Sequence, residues 1–348
     1  MPAPPPNVTS PKELRRLLEQ YHVRPSKRLG QSFLIDANVA GKTLAAAQIA
    51  PDDRVFEVGP GAGALTTALA RRAREVVALE LDRRLVELLT ALFSDAPNVR
   101  IVQGDILKTD LRALLGGGGG GDSTRWGMGE LTPPPSRGRT KVGVKRPGSP
   151  TLTPPLPERE RSVARPSAGP SGRTAPSTGT WKLLANLPYS IVGPAIARSL
   201  ENRAMFPLMV LMVQREVAER LAAPPGTKQY GVLSVLAQAH MAVENVSQVS
   251  RTCFYPQPQV DSTLVRLTAR GSVVEERLES AFASVVRAVF RQRRKTMLNA
   301  LTAAAELELT REDASRALDE AGIDPGRRPG ALSAEEFAAL ARALKRTD

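Results

Sequence analysis

Apolar residues fall along this chain in two alternating rhythms. Continuous runs at "RVFEVG" (54 to 59), "EVVALEL" (75 to 81) and "VRIVQGD" (99 to 105) read as strands, and helical spacing follows from about Ala64 and from Arg83. This predicts a βαβαβ unit. After a long gap come "WKLLANLP", a helix through Ile196 and Leu200, "PLMVLMVQ" (207 to 214), another helix, and the β-branched "STLVRLT" (262 to 268). Runs that are continuous rather than alternating belong to parallel strands covered on both faces, so the predicted fold class is α/β, a mostly parallel sheet between helices. From Glu275 onward the signal is helical only, with "LSAEEFAALARAL" as a capping candidate, which predicts a smaller helical domain. The expected division is an N-terminal extension (1 to 23), an α/β domain (24 to 271) and a helical domain (272 to 348).

The gap spans residues 116 to 180 and holds 14 Gly and 11 Pro in 65 positions, with Trp126 its only aromatic. Such a segment buries too little apolar surface to offset its ordering entropy, so it is expected to be a disordered insert. The third strand reaches the carboxyl edge of the sheet at Asp105 and residues 106 to 115 return, so the insert should leave from the edge opposite the site. Its removal should spare activity.

Charge narrows the partner. The 348 residues carry a net +13, and the insert accounts for +6 of it, leaving +7 on the other 283 residues. A basic surface raises the local concentration of polyanions, and nucleic acid leads among them. The densest basic stretch, "RAVFRQRRKT" (287 to 296), offers Arg287, Arg291, Arg293, Arg294 and Lys295 with no acid between them, a density suited to phosphate. One cysteine (Cys253) and two histidines (His22 and His240) argue against a disulfide and against a His/Cys metal site. With no signal-peptide pattern and no 18-residue apolar run, a soluble cytoplasmic protein that binds no membrane is expected.

Candidate chemistry collects at strand ends. "FEVGPGAGAL" puts Gly59, Gly61 and Gly63 between a strand and a helix, where missing side chains let a ligand approach the backbone. The same spacing satisfies a dinucleotide motif through Ala64, so NAD and other nucleosides both stay open here. Glu80 and Asp105 end the next two strands, and open α/β sheets bind ligands at that edge. These three ends together suggest a nucleoside pocket: glycine backbone near an amino-acid part, Glu80 at a ribose, Asp105 at a base.

"NLPY" ends the fourth strand on the same edge. Asn186 offers a carbonyl acceptor, Pro188 restricts the turn so that main-chain carbonyls can point inward, and Tyr189 offers an aromatic face. That set suits a planar heterocycle with an exocyclic amine. The lone pair of such an amine is delocalised into the ring, and acceptors on its two hydrogens favour a more pyramidal, nucleophilic nitrogen. Attack on an electrophilic methyl needs no strong base, because the methylated nitrogen becomes acidic; positioning and fixed dipoles would carry the rate.

"NLPY" after "VGPGAG" resembles the ribosomal RNA adenine N6,N6-dimethyltransferases. "RLGQSFL" (28 to 34), "VQREVAERLAAPPGTKQYGVLSVLAQ" (213 to 238), "FYPQPQVDSTLVRL" (254 to 267) and "FRQRRKTMLNAL" (290 to 301) are similar to further motifs of that family, in the same order. The resemblance implies a Rossmann-like S-adenosylmethionine-dependent methyltransferase sheet and S-adenosylmethionine as methyl donor, with no metal. It implies cofactor contacts at Ser32, Leu34, Gly59, Gly61, Glu80, Asp105 and Asn186. Target-adenine contacts are implied at Asn186, Leu187, Pro188 and Tyr189, with Phe254 stacking on an extruded base. The implied substrate is two adjacent adenosines near the 3′ end of 16S rRNA in a small-subunit precursor, acted on by a monomer during ribosome biogenesis. Ser32 departs from the family, which usually has Asn there; the insert is a second departure.

Three rivals differ by what they require. A large-subunit dimethyltransferase of the macrolide-resistance type shares most motifs, but "QRRKTMLNAL" favours the small-subunit group. A non-catalytic ribosome-assembly factor would not need "GPGAG", Glu80, Asp105 and "NLPY" together. An NAD oxidoreductase would need hydride-handling residues, and "NLPY" gives none.

Overall fold

The computed structural model describes residues 7–26, 30–116 and 180–345. The predicted insert lies outside the described residues except at its ends, Gly116 and Thr180. The chain opens with α1 (Pro11–Gln20), β1 (Phe33–Leu34) and α2 (Ala37–Ala46). Then come β2 (Arg54–Val58), α3 (Ala64–Ala70), β3 (Glu75–Glu80), α4 (Arg83–Leu92), β4 (Val99–Gln103) and α5 (Leu111–Leu115). Beyond residue 180 lie β5 (Lys182–Asn186), α6 (Val192–Glu201), β6 (Leu208–Gln214), α7 (Arg215–Leu221), α8 (Val232–Gln238), β7 (Met241–Val249), β8 (Phe254–Tyr255) and β9 (Ser262–Ala269). The last helices are α9 (Glu279–Arg291), α10 (Met297–Thr302), α11 (Arg311–Glu320) and α12 (Ala334–Lys345). None of the described helices is long and apolar enough to cross a membrane.

Seven strands form one sheet in the order β4-β3-β2-β5-β6-β9-β7. The first five are parallel; β9 joins β6 antiparallel, and β7 joins β9 antiparallel. The chain builds outward from β2 to β4 and then resumes at β5 on the other side of β2. That makes β2/β5 the topological switch point, where such sheets hold ligands.

The predicted strands form because their apolar runs serve two faces at once. Phe56, Val77 and Leu183 join a core with α5, α6 and α8, while their neighbours Val55, Val76 and Leu184 join another with α2, α3 and α4. Helix starts follow local capping: the carboxylates of Asp36, Asp82 and Asp110 each accept from amides two or three residues on. The capping box before α12 forms, with the Glu336 amide donating to Ser333 Oγ over 3.2 Å and the Ser333 amide to Glu336 Oε2 over 2.7 Å.

The helices after Glu275 share the first of these cores. Phe282, Val286, Val289, Met297, Leu318 and Phe337 are buried in the same cluster as Phe56, Leu183 and Met209. Buried apolar side chains of this size contribute roughly 1.5–3 kcal/mol each, against about 0–1 kcal/mol for an exposed ion pair, so apolar packing rather than charge attaches these helices to the sheet.

Four elements escape the apolar rhythm. β7 is a long edge strand whose "MAVENVSQV" mixes polar and apolar residues and is exposed along most of its length. β1 and β8 are two residues each and pair antiparallel, Phe33 with Tyr255 and Leu34 with Phe254. α1 lies in the stretch expected to be an extension, and its Leu14, Leu17 and Leu18 are buried.

Candidate active site

The register of the sheet sets the site. Val58 pairs with Leu79 on one side and Ala185 on the other, so the next residues along the three strands, Gly59, Glu80 and Asn186, stand level. Asp105 lies two residues past Gln103, the partner of Glu80. The strand tips open into one cleft. All eleven residues expected at the cofactor and base sites line it: Ser32, Leu34, Gly59, Gly61, Glu80, Asp105, Asn186, Leu187, Pro188, Tyr189 and Phe254.

Glycine is required where the walls come closest. Gly61 has φ +58°, and a Cβ there would lie 3.0 Å from the Phe33 ring. Gly30, at φ +65°, brings the N-terminal segment against "NLPY", where a Cβ would lie 3.1 Å from the Tyr189 amide nitrogen. The segment carrying Ser32 is thus folded over the tip of β5. Asn186 fastens it, donating its side-chain amide to the Ser32 main-chain carbonyl over 3.2 Å. This leaves Asn186 Oδ1 without a protein donor among the described residues, on the wall of the cleft.

Two buried carboxyls sit under the glycine loop. Glu80 accepts from the amides of Gly61 (3.2 Å), Leu81 (2.9 Å) and Asp82 (3.0 Å). Burial still pushes its carboxyl above the ordinary range, because desolvation outweighs these bonds. Glu57 is 1% exposed and accepts from Thr66 Oγ1 over 2.7 Å. Burial, reinforced by the charge of Glu80, pushes Glu57 up to about 8. Burial thus favours the neutral form of Glu57, which leaves Glu80, with its three amide donors, as the polar acceptor nearest the glycine loop. Asp105 is held by the Leu107 amide at 2.9 Å.

Apolar surfaces complete the walls. Leu81 follows Glu80 and is 51% exposed, and buried Ile106 follows Asp105; both line the cleft and offer apolar faces to a planar group. Sequence reasoning missed Glu57, Leu81 and Ile106. For Glu57 there was a signal, an acid inside the apolar run "RVFEVG"; for the other two it was their place directly after a strand-end acid. On the opposite side Tyr189 shares a hydrogen bond with Ser262 across 3.2 Å, and burial raises its phenol above the usual value. Phe254 is 4% exposed and paired with Leu34 through β1 and β8, so the two loops expected to flank cofactor and base meet in one small ladder. Cys253 is partly buried, with its thiol 3.4 Å from Asp36 Oδ2.

The basic stretch is divided by the fold. Arg291 pairs with Glu306 at 2.6 Å, and Arg293 Nη2 donates to the carbonyls of Thr227 (3.1 Å) and Lys228 (2.7 Å). Arg287 is partly buried and faces Glu201, and burial lowers its guanidinium pKa from the ordinary value. Arg294 and Lys295 are exposed. The acids absent from the sequence window arrive from α6 and from beyond α10.

Residues 23–345 match the family described as ribosomal RNA adenine dimethylase. The chain is 41% identical to the ribosomal RNA small subunit methyltransferase A of Pelotomaculum thermopropionicum, over 96% of each chain. It is 39% identical to the protein of that name from Geobacillus thermodenitrificans, over 97% of each. Among solved structures, a dimethyladenosine transferase from Plasmodium falciparum superposes with a TM-score of 0.61 at 21% identity, over 90% of this chain and 98% of that one. The 23S rRNA methyltransferase ErmE superposes with a TM-score of 0.56 at 23% identity, over 90% and 99%. These two share the fold.

Proposed function

This chain belongs to the ribosomal RNA adenine dimethylase family, and on that premise we propose that it dimethylates N6 of two adjacent adenosines near the 3′ end of 16S rRNA, with S-adenosylmethionine as methyl donor. The observation that carries the reading is the level row of Gly59, Glu80 and Asn186 at the switch point, with Asn186 lining the cleft and its Oδ1 without a donor among the described residues. The names of the relatives and "QRRKTMLNAL" favour the small subunit over the large. We further propose that the protein works as a cytoplasmic monomer on a small-subunit precursor.

The residues present fit the methyl donor. Gly59 and Gly61 give it main-chain approach, Glu80 and Asp105 offer acceptors to ribose and base, and Ser32 and Leu34 close the side. S-adenosylmethionine supplies an electrophilic methyl on a sulfonium sulfur. Asn186 Oδ1 and a main-chain carbonyl at Leu187–Pro188 would accept the two hydrogens of the adenine amine and favour a pyramidal nitrogen. Tyr189 and Phe254 would hold the extruded base between them, which is the positioning and dipole contribution expected where no base is needed. Residues 272–348 act as the RNA-binding part, with Arg287, Arg291, Arg293, Arg294 and Lys295 contributing unequally.

The test supplies labelled S-adenosylmethionine to unmethylated small subunits and maps the product by nuclease digestion. Two neighbouring dimethyladenosines near the 3′ end of 16S rRNA are expected from the native protein and a small fraction of that from Asn186→Ala. Label in large-subunit RNA, or none in either RNA, would overturn the reading.

A further inference from the structure

The family match begins at residue 23, whereas α1 ends at Gln20. This helix nevertheless packs on the cleft from outside. Its Leu14 and Leu18, with Val23, form an apolar cluster with Phe33, Ala62 and Leu85. Those last three line the cleft on their other side. The turn after α1 is tied down by Arg84, whose Nη1 donates to the His22 carbonyl at 2.5 Å.

The exposed side of the same helix turn reaches the other wall. The Arg15 guanidinium lies over the Tyr255 ring, 5.0 Å from its centroid. Tyr255 is paired with Phe33, and the next residues in the ladder are Phe254 and Leu34, both on the cleft. The Ile35 amide closes the ladder by donating to the Cys253 carbonyl at 2.8 Å. One ten-residue helix thus touches the glycine-loop wall through Leu14 and Leu18 and the base wall through Arg15.

We propose that α1 is a positioning element of the active site and that Arg15 is its positioning residue for the base wall, holding Tyr255 and through it the ladder that presents Phe254 to the target base. This rests on the function proposed above. Arg15 touches neither cleft nor reacting atoms, and the cation–ring contact at an exposed site is worth a few-fold in an equilibrium, not orders of magnitude. The effect should fall on the RNA side. The methyl donor is expected to bind as before, since its wall is held by apolar contacts that Arg15 does not make.

The experiment compares the full chain with Arg15→Ala and Arg15→Lys. Hydrogen exchange is followed at Ile35 and residues 253–255, calorimetry gives the affinity for S-adenosylmethionine, and steady-state kinetics are run on unmethylated small subunits. Arg15→Ala should speed exchange in the ladder and lower kcat on the RNA by about fivefold each, with melting temperature and methyl-donor affinity unchanged and most of the loss recovered in Arg15→Lys. Unchanged ladder exchange, or parallel losses of donor affinity, melting temperature and turnover, would overturn the proposal. A native protein that binds S-adenosylmethionine but modifies no ribosomal RNA would overturn the function instead, and the exchange difference would then still decide the role of Arg15 in the ladder.

Discussion

The amide of Asn186 is hydrogen-bonded to the main-chain carbonyl of Ser32, so the tip of β5 and the segment folded over it are joined at the residue assigned to the target amine. Because the bond is to the main chain, the Ser32 hydroxyl plays no part in it. Ser32→Asn, which restores the usual family residue, should leave turnover within about twofold. Asn186→Ala should lower kcat by roughly 10²–10³, the scale for removing one preorganised polar group in a dry site. Initial rates on unmethylated small subunits check both.

Glu57 makes stability depend on pH in a defined direction. Its carboxyl is raised from an ordinary value of 4.5 to about 8 by burial, so the native state holds a proton that the unfolded chain gives up. The contribution is therefore complete below pH 4.5 and is lost as pH rises through 8, amounting to on the order of 5 kcal/mol. Glu57→Gln should match the native protein near pH 4.5 and exceed it increasingly up to about pH 8, with no further gain beyond. Urea midpoints from pH 5 to 9 test this; a pH-independent difference would contradict it.

The basic residues before α10 should separate in a salt titration. Alanine at Arg294 and Lys295 together should flatten the plot of log affinity against log salt by about 1 to 2, near 0.7 to 0.9 per phosphate contact. Arg291→Ala should change the slope less, because Glu306 already pairs with that guanidinium. Equal slopes for all the variants would remove this ranking.

A chain in which residues 117–179 are replaced by a short Gly–Ser linker should keep methyl-donor affinity and turnover within about threefold. The flanks lie away from the cleft. The carbonyl of Leu114, next to the end of α5, accepts from Arg100 near the start of β4, and Trp181, just before β5, donates its amide to the Met205 carbonyl. A soluble deletion protein with no activity would contradict this.

How legible was this in the chain? The runs at 54, 75 and 207 were readable because a strand buried on both faces must be apolar throughout, and "NLPY" because its residue types are chemically unusual together. β7 was missed for the opposite reason, since an edge strand exposed along most of its length needs no apolar pattern. The pair Leu14 and Leu18 was present in the sequence, but nothing in it tells that its partners are Ala62 and Leu85. The basic stretch shows the same limit. Composition counted five cations, and only the fold reveals that Glu306 and two carbonyls occupy two of them. Glu57 needed the third dimension to be recognised as a carboxyl with no solvent.

The core common to the sheet and the C-terminal helices has a mechanical meaning. Glu279, near the foot of α9, is ion-paired with Arg203, so the seam carries a polar tie as well as apolar packing. A hinge there would have to tear Phe282 and Val286 from their neighbours on every swing. Separating the C-terminal helices from the sheet would therefore expose apolar surface that the two now bury together.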